Sequence, residues 1–365
     1  MKRILLGVCS IGNGHVNRQR LIINNLLNYD VEIVLAVTNN MHAYFKKLFP
    51  ELIIISINVP WIYCDNNGID FIKTKERYEN EGEDQFKSFL NFSIEVQKSF
   101  GGHNPDLVMT DYEPNVAQFA YATNKPLICL DQHSKFLILP KKMINKYSIN
   151  IEISRILYFF PRAEKRYVSS FFNIESNNMY NIEILPPIVK NIKRSSLISK
   201  NKVLVYFSPY TSESRKYERI LDLIKYYKNY EFHIYTELEF PKYKNYTNMI
   251  FKRIGDEFDN DLYDCNFIIS SAGHQLISEA INLNIPLYIF PLNTYDQNYC
   301  CHIVNKHELG RKIVNCDKNE FDEFIMNIEK YRHNMNEYKR KNWIGKWDEI
   351  LFCKLEKDVG LKKSN

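Results

Sequence analysis

The sequence predicts an α/β protein with two doubly wound, Rossmann-like domains that face each other across a cleft. Apolar runs of strand length alternate with helical segments, and the alternation restarts after a polar, basic stretch near the middle of the chain. A chain of 365 residues is long enough for two domains that each bury a core. We therefore expect an N-terminal domain at 1–188, a linker at 189–201 and a C-terminal domain at 202–339. A final helix at about 340–365 is free to pack back on the N-terminal domain.

In the N-terminal half, five near-continuous apolar runs predict buried parallel strands. They lie at 3–9, 31–37, 52–57, 106–110 and 126–130, with helical material between most of them. Residues 60–100 are polar, charged and aromatic with weak periodicity, which is typical of a long surface excursion concerned with binding. The basic and aromatic segments after residue 139, including 157–167, are expected to be helical.

The C-terminal half repeats the pattern. Strands are expected at 203–207, 231–236, 249–254, 267–269 and 286–291, with a helix at 217–227. Residues 321–359 are helical and charged, and an apolar stripe there favours a packing helix. Ligands of such sheets bind at the carboxyl ends of the strands, so the loops of the two domains are expected to line the cleft.

Composition excludes several classes of protein. The net charge is only +5, which does not favour a nucleic-acid binder that depends on phosphate neutralisation. The eight cysteines show no C-x-x-C pair, so we expect reduced thiols in the cytoplasm. No apolar segment approaches the roughly 20 residues of a membrane-spanning helix, and the apolar run near the N-terminus is too short for a signal peptide.

The stretch from Ile268 to Ala280 predicts an anion site. An apolar strand runs into a turn of small residues, and a helix opens there with unpaired N–H groups and the positive end of its dipole. Gly273 lets a ligand approach the backbone, and Glu279 lies where a carboxylate accepts from vicinal ribose hydroxyls. The alternative is an ordinary helix start, capped by Ser270 and Ser271, with Glu279 solvated.

The loop after the first strand contains only part of a dinucleotide fingerprint. Gly12 and Gly14 lack a third glycine, and the second strand ends at Thr38 without an acid for a ribose, so a nicotinamide enzyme is rejected. His15 remains as a candidate general base, provided that another group orients its ring.

Asp111 is the candidate orienting group. It ends the fourth strand, and in a sheet of order 3-2-1-4-5 the first and fourth strands are neighbours. A contact between His15 and Asp111 is therefore expected. The alternatives are that His15 packs against its own loop and that Asp111 caps the helix beginning near Pro114.

Four motifs occur in one order along the chain: Ser10-Ile11-Gly12-Asn13-Gly14-His15, Asp106 to Asp111, Ser270 to Glu279, and Pro291 with Asp296-Gln297. Together they resemble those of GT-B glycosyltransferases, nearest to transferases related to the peptidoglycan GlcNAc transferase and to natural-product UDP-glycosyltransferases. The resemblance covers most of the chain and is weakest at 60–100 and 139–185.

The resemblance implies a role for each motif. His15 would deprotonate the acceptor and Asp111 would orient His15, while Gly12, Asn13 and Gly14 would lie near the acceptor and the diphosphate. The implied donor contacts are Ser208, Tyr210, Thr211, Ser271, Ala272, Gly273, His274 and Gln275 around the diphosphate, Arg253 and Ile254 at the base, Glu279 at the ribose, and Asp296 and Gln297 at the sugar. Plant-type members place a histidine where this chain has Ser271, so the side chain that contacts the diphosphate stays open.

The implied activity is an inverting, metal-independent transfer of a sugar from a nucleotide-diphosphate donor, a UDP- or dTDP-sugar, to a hydroxyl of a small-molecule or lipid-linked acceptor. The nucleotide sugar is a co-substrate and no cofactor is expected. No nucleic-acid partner is expected, and the protein is placed in the cytoplasm with peripheral contact to the inner face of the membrane left open. The alternatives are a sugar-nucleotide epimerase of the same architecture and a non-catalytic nucleotide-sugar-binding protein.

The string Asp259-Asn260-Asp261 matches a D-x-D pattern that binds a metal in a different transferase fold. Because it precedes a helix-like segment, we interpret it as a loop or cap and expect full activity in EDTA. The measurement is the transfer rate with EDTA and after addition of Mn²⁺ or Mg²⁺. Strict dependence on either ion contradicts the metal-free mechanism.

Overall fold

The computed structural model describes residues 1–9, 13–57, 63–65, 68–80, 82–140, 143–144, 147–175, 179–192, 199–208, 214–255 and 257–364. In these ranges the chain forms two parallel sheets flanked by helices, together with the short hairpins Cys64–Asp65 with Gly68–Ile69 and Met143–Ile144 with Tyr147–Ser148. The predicted fold class, two doubly wound α/β units, is confirmed.

The first sheet has the strand order β3-β2-β1-β4-β5-β6-β7, and all of its pairings are parallel. Its strands are β1 Lys2–Val8, β2 Val31–Thr38, β3 Ile53–Ile57, β4 Leu107–Asp111, β5 Leu127–Asp131, β6 Lys165–Ser169 and β7 Ile182–Leu185. The predicted order of the first five strands is therefore correct. The apolar runs of β1, β2, β4 and β5 are largely buried on both faces, as helix-covered parallel strands require, whereas the edge strand β3 buries only Ile55 and Ile57.

The second sheet has the order β10-β9-β8-β11-β12-β13, again wholly parallel. Its strands are β8 Lys202–Tyr206, β9 Glu231–Tyr235, β10 Met249–Lys252, β11 Phe267–Ser271, β12 Leu287–Phe290 and β13 Gly310–Lys312. The register places the end of β8 beside the end of β11, where Tyr206 lies opposite Ser270. The small-residue turn that follows β11 thus lies at the carboxyl edge of the sheet.

Helices cover both faces of each sheet. They are α1 Asn13–Leu26, α2 Asn39–Leu48, α3 Phe71–Asn80, α4 Gly82–Ser99, α5 Pro114–Ala122, α6 Ile149–Phe159, α7 Ser214–Ile224, α8 Glu257–Asp264, α9 His274–Leu283, α10 Tyr295–Lys306, α11 Lys318–Met326, α12 Ile328–Asn342 and α13 Trp347–Val359. The last helix packs on the first sheet, since Leu351 and Leu355 share a buried cluster with Ile4 and Leu6. The domain boundaries at 188, 189–201 and 339 stay a prediction.

Several local expectations are wrong. The segment 157–167 is not one helix, because α6 ends at Phe159 and β6 begins at Lys165. Pairing of β6 with β5 and β7 overrides its polar composition, and the buried Arg166 donates to the Phe160 carbonyl at 2.5 Å. Within the expected surface excursion, residues 71–80 and 82–99 form α3 and α4; Phe86 and Ile94 of α4 are exposed, and Phe92 and Val96 are buried.

The D-x-D string is also not a loop or a cap, because it lies within α8. Asp261 accepts from Lys202, His233, Tyr235 and Lys252 at 2.6–3.1 Å. Its carboxylate is thus occupied by the side chains of its own domain, and its role is structural.

Two further strands of the main sheets were not predicted from the sequence, because neither is a long apolar run. One is β7, and the other is β13, whose sequence is Gly-Arg-Lys. Gly310 is required in β13, since an added Cβ would lie 2.1 Å from the Leu287 carbonyl oxygen of β12. Only a glycine lets the two strands approach this closely.

We therefore expect Gly310→Ala to lower the free energy of unfolding by about 1–3 kcal/mol, because the backbone of β12 must shift to admit the methyl group. Denaturant titration measures the effect. Gly255→Ala is the matched control, since no atom lies within 4 Å of its added Cβ. Equal effects of the two substitutions would contradict the steric explanation.

Candidate active site

The end of β4 brings Asp111 to the start of α1. Asp111 lies opposite Val8 at the end of β1, and the helix that follows β1 holds His15 in its first turn. His15 Nδ1 lies 2.8 Å from Asp111 Oδ1, and both side chains are buried. The expected contact is present. Asp111 does not cap the following helix, because Glu113 caps α5 by accepting from the Val116 N–H at 2.9 Å.

Two further side chains of α1 bind the same carboxylate. The fully buried Arg18 donates to Asp111 through Nε and a terminal nitrogen at 2.7–3.1 Å, and Gln19 Nε2 donates to Asp111 Oδ2 at 2.9 Å. Burial opposes ionisation of Asp111, but the charge of Arg18 and then the contact with His15 outweigh it and hold its pKa well below the usual range. Asp111 is therefore an ionised acceptor at neutral pH.

The ionised carboxylate determines the tautomer of His15. Because Asp111 has no proton to donate, the proton of their hydrogen bond resides on His15 Nδ1. In the neutral ring Nε2 is then a bare acceptor, which is the state a general base requires. The ring is also held by stacking, since it lies nearly parallel to His133 with the centroids 5.5 Å apart.

The start of α9 has the features of an anion site. Gly273 is its N-cap, and no side chain caps the helix, so the capping role considered for Ser270 and Ser271 is not what the structure has. Gly273 has an ordinary φ of −70°, and no atom lies within 4 Å of a Cβ added there. Neither backbone strain nor protein packing requires this glycine. The open space beside it is the property that a ligand would use.

The other predicted residues of α9 are buried. Gln275 donates to the Ile188 carbonyl and to Glu279 Oε1, both at 3.0 Å. Gly14 of α1 packs directly on Gln275, since an added Cβ would lie 3.2 Å from the Gln275 Cβ. Ala272 is fully buried. The start of α9 therefore lies against α1 and the chain that connects the two sheets.

Glu279 is partly buried rather than solvated. It lines a pocket between the first helix and the second sheet, together with Arg20, Lys190 and Asp259. Burial, and then the charge of Asp259, raise its pKa from 4.5 to about 7, although Gln275 and Lys190 act in the opposite direction. A carboxyl of this kind changes its charge near neutral pH.

Asp296 and Gln297 open α10 at the carboxyl edge of β12. Gln297 Oε1 accepts from the Leu292 N–H at 3.0 Å, which closes its loop. Asp296 Oδ1 lies 3.2 Å from Lys135 Nζ, and this ion pair crosses from the first sheet to the second.

The remaining predicted residues are spread over this edge. Ser208 is buried just beyond β8, Arg253 is exposed and Ile254 is partly buried beyond β10. The side chain of Asn13 hydrogen-bonds the Tyr206 hydroxyl across the two sheets. Gly12, Tyr210 and Thr211 lie outside the described residues.

A family model for glycosyl transferase family 1 matches residues 2–329. The chain belongs to that family. It is a glycosyltransferase, and the resemblance found in its motifs is confirmed.

Solved structures of glycosyltransferases share its fold. Os79 from O. sativa, in complex with UDP, is 12% identical, with a TM-score of 0.72 over 96% of this chain and 99% of that chain. The spinosyn forosaminyltransferase SpnP is 12% identical, with a TM-score of 0.68 over 98% and 99% of the two chains. Phytolacca americana UGT2, complexed with UDP-2fluoro-glucose and pterostilbene, is 11% identical, with a TM-score of 0.69 over 98% and 100%. The GT-B fold is thereby shown, whereas no curated protein matches the sequence.

Within the described ranges no group of three or more His, Cys, Asp or Glu side chains is arranged to hold a metal ion. None of the seven cysteines whose side chains are described forms a disulfide. No described helix is long and apolar enough to cross a membrane.

Sequence reasoning missed Arg18, Gln19 and Lys135. Arg18 follows His15 by three residues on α1, so helical spacing places both on one face and was the available signal. Lys135 had no such signal, because its carboxylate partner is 161 residues away.

The raised pKa of Glu279 predicts how stability depends on pH. Its carboxyl ionises at a lower pH when unfolded, so the wild type should lose stability relative to Glu279→Gln as pH rises from about 4.5 to 7 and hold a constant difference above that. Urea unfolding at pH 5, 6, 7 and 8 measures this difference. The control is Glu175→Gln, at an exposed position. A difference between wild type and Glu279→Gln that does not change from pH 5 to pH 8 would contradict the raised pKa of Glu279.

Proposed function

We propose that this glycosyltransferase is inverting and metal-independent and moves a sugar from a UDP- or dTDP-sugar to a hydroxyl of its acceptor. The observation that carries the proposal is the 2.8 Å contact of His15 with an ionised Asp111, which leaves Nε2 of the ring as the base. The start of α9 at Gly273, on the second sheet, has no side-chain cap and has open space beside it. The diphosphate would bind there, and the proposed base would act from the first sheet.

In the proposed reaction, His15 Nε2 takes the proton of the acceptor hydroxyl while the oxygen attacks the anomeric carbon from the face opposite the leaving group. The new glycosidic bond forms as the bond to the diphosphate oxygen breaks, and the nucleoside diphosphate leaves with the electron pair. Asp111 stabilises the imidazolium that forms, as a buried carboxylate does for a general base. The N–H groups at the start of α9 stabilise the charge of the leaving diphosphate.

The donor would be held by residues of the second sheet. Glu279 would accept from the ribose hydroxyls, which is consistent with its place in a partly buried pocket. Arg253 and Ile254 would meet the base, and Asp296 and Gln297 the sugar. Ser208, with Tyr210 and Thr211 after it, would approach the diphosphate. In this scheme the diphosphate charge is met by helix N–H groups, so no cofactor or metal enters a step.

A small hydroxylated molecule is the acceptor class that we favour. Phytolacca americana UGT2, which shares the fold, was solved with pterostilbene. Aromatic side chains lie close to His15 on the acceptor side, where the ring centroid of Tyr112 lies 4.5 Å from that of His133. Such a surface suits an aromatic or apolar acceptor. A lipid-linked acceptor with peripheral membrane contact is the other form of this proposal.

His15→Ala is the test of the base. Loss of the proton acceptor should reduce transfer at least about 100-fold and leave nucleotide affinity within about twofold of wild type. Donor hydrolysis and transfer are measured with UDP, dTDP and GDP sugars, and proton NMR of the anomeric centre reports inversion.

His302→Ala, at an exposed histidine of α10, is the matched control and should keep full activity. An unchanged rate in His15→Ala refutes the role of His15. Failure of the wild type to bind any nucleotide refutes the proposed function as a whole.

A further inference from the structure

Lys135 is a fully buried cation at the meeting point of the two sheets. It lies on the 3₁₀ turn Ser134–Leu137 after β5, and Asp131 holds this turn by accepting from the Ser134 N–H at 2.7 Å and the Ser134 hydroxyl at 2.8 Å. Its ammonium donates to the Gln132 carbonyl at 2.5 Å and to Asp296 Oδ1 at 3.2 Å. One of its oxygen acceptors thus comes from each half of the molecule.

The ammonium of Lys135 is incompletely satisfied. Three N–H groups are available, but the described residues supply only these two oxygen acceptors, and the rings of Phe136 and Phe172 lie 4.5 Å and 5.9 Å from the nitrogen. Burying an ammonium in such surroundings is unfavourable unless further hydrogen bonds form. A ligand oxygen would supply the missing one.

Other unpaired polar groups surround the ion pair. Nδ1 of His133, both ring nitrogens of His274 and the hydroxyl of Tyr295 are buried and lack a hydrogen-bond partner among the described residues. Burying each such group without a partner is unfavourable. We call Lys135, Asp296, His133, His274 and Tyr295 the seam.

Two phenylalanines join the members of the seam. Phe136 lies under Lys135 and contacts the rings of Tyr295 at 5.5 Å and His133 at 6.5 Å. Phe172 lies under Lys135 and contacts the ring of His274 at 6.3 Å. The unpaired groups therefore form one cluster, which adjoins the proposed base through the stacking of His133 on His15.

The chemistry of the seam favours a neutral, hydroxyl-rich ligand. Burial first, and then neighbouring positive charges, hold the pKa values of His133 and His274 well below their ordinary value, so each neutral ring has one donor and one acceptor. Glu152 adds a second carboxylate near Lys135 and Asp296, which disfavours an anion. Hydroxyl groups both donate and accept, so several on one ring would satisfy these atoms together.

We propose that the sugar ring of the donor binds at the seam and that Lys135, together with Asp296, forms hydrogen bonds with its hydroxyl groups and so discriminates between sugars. This inference rests on the proposed function and adds a specificity-determining residue from the first sheet to a donor otherwise held by the second. In this arrangement the sugar contacts come from both sheets, whereas the nucleotide contacts come from the second sheet. Recognition of the sugar is thereby separated from recognition of the nucleotide.

Lys135→Met tests the proposal, because methionine keeps the apolar stem over Phe136 and Phe172 and removes the ammonium. Titration calorimetry gives the Kd values of UDP, UDP-glucose, UDP-galactose and UDP-xylose, and of dTDP with dTDP-glucose. We expect sugar nucleotides to bind about tenfold or more weakly, with UDP and dTDP unchanged within twofold. We also expect the ratios between the three UDP-sugars to move towards one.

Asp296→Asn is the second variant, and it should give the same loss of sugar affinity and the same change in ratios. The matched control is Lys165→Met, which removes another ion-paired lysine of the first sheet and should change none of these values. Circular dichroism verifies that each variant is folded. If Lys135→Met does not fold, Lys135→Arg replaces it, because arginine keeps the cation but changes its reach and should still change the ratios between the three UDP-sugars.

A uniform loss for the three UDP-sugars with unchanged ratios would make Lys135 a structural latch and overturn the proposal. Unchanged sugar affinity would overturn it too. If the wild type binds UDP or dTDP as tightly as the corresponding sugar nucleotides, the role of the seam is refuted and the proposed function is not. If the wild type binds no nucleotide at all, the proposed function itself is refuted.

Discussion

A buried carboxylate on which three side chains of one helix converge organises the first half of the molecule. Asp111 ends a central strand and accepts from His15, Arg18 and Gln19 of α1. A buried charge must be paired, so α1 is oriented about its axis with these three residues facing Asp111. The same orientation places His15 Nε2 as the free nitrogen of the ring. Stability and the proposed chemistry therefore depend on one set of hydrogen bonds.

The first helix also fixes how the two sheets meet. Gly14 packs on Gln275, and Arg20 pairs with Asp259 of α8 at 3.4 Å. Gln275 in turn links the Ile188 carbonyl to Glu279, so the proposed ribose contact is tied to the chain between the sheets. A displacement of α1 would therefore reach both the proposed base and the proposed donor contacts. This coupling explains why the proposed site lies at the starts of α1 and α9.

The seam combines a buried cation with several unpaired polar groups. The buried carboxylate of Asp261, by contrast, accepts from four donors. Unpaired groups around Lys135 and His274 destabilise the structure without a ligand, and a ligand that satisfies them would stabilise it. The same chain thus contains polar clusters of two kinds. One kind maintains the fold, and the other is completed by the substrate in our proposal.

The sequence by itself determined the two-sheet architecture, the order of the first five strands and the expectation that His15 meets Asp111. Apolar runs and helical spacing are local patterns, and the order of a doubly wound sheet follows from them. Sequence patterns did not reveal β6, β7 and β13, because strands that are short or polar are stabilised by their neighbours in the sheet rather than by their own composition. Only the tertiary structure decided that Lys135 meets Asp296. Their pairing depends on how two separately wound sheets close on each other, and no local period in the chain encodes that.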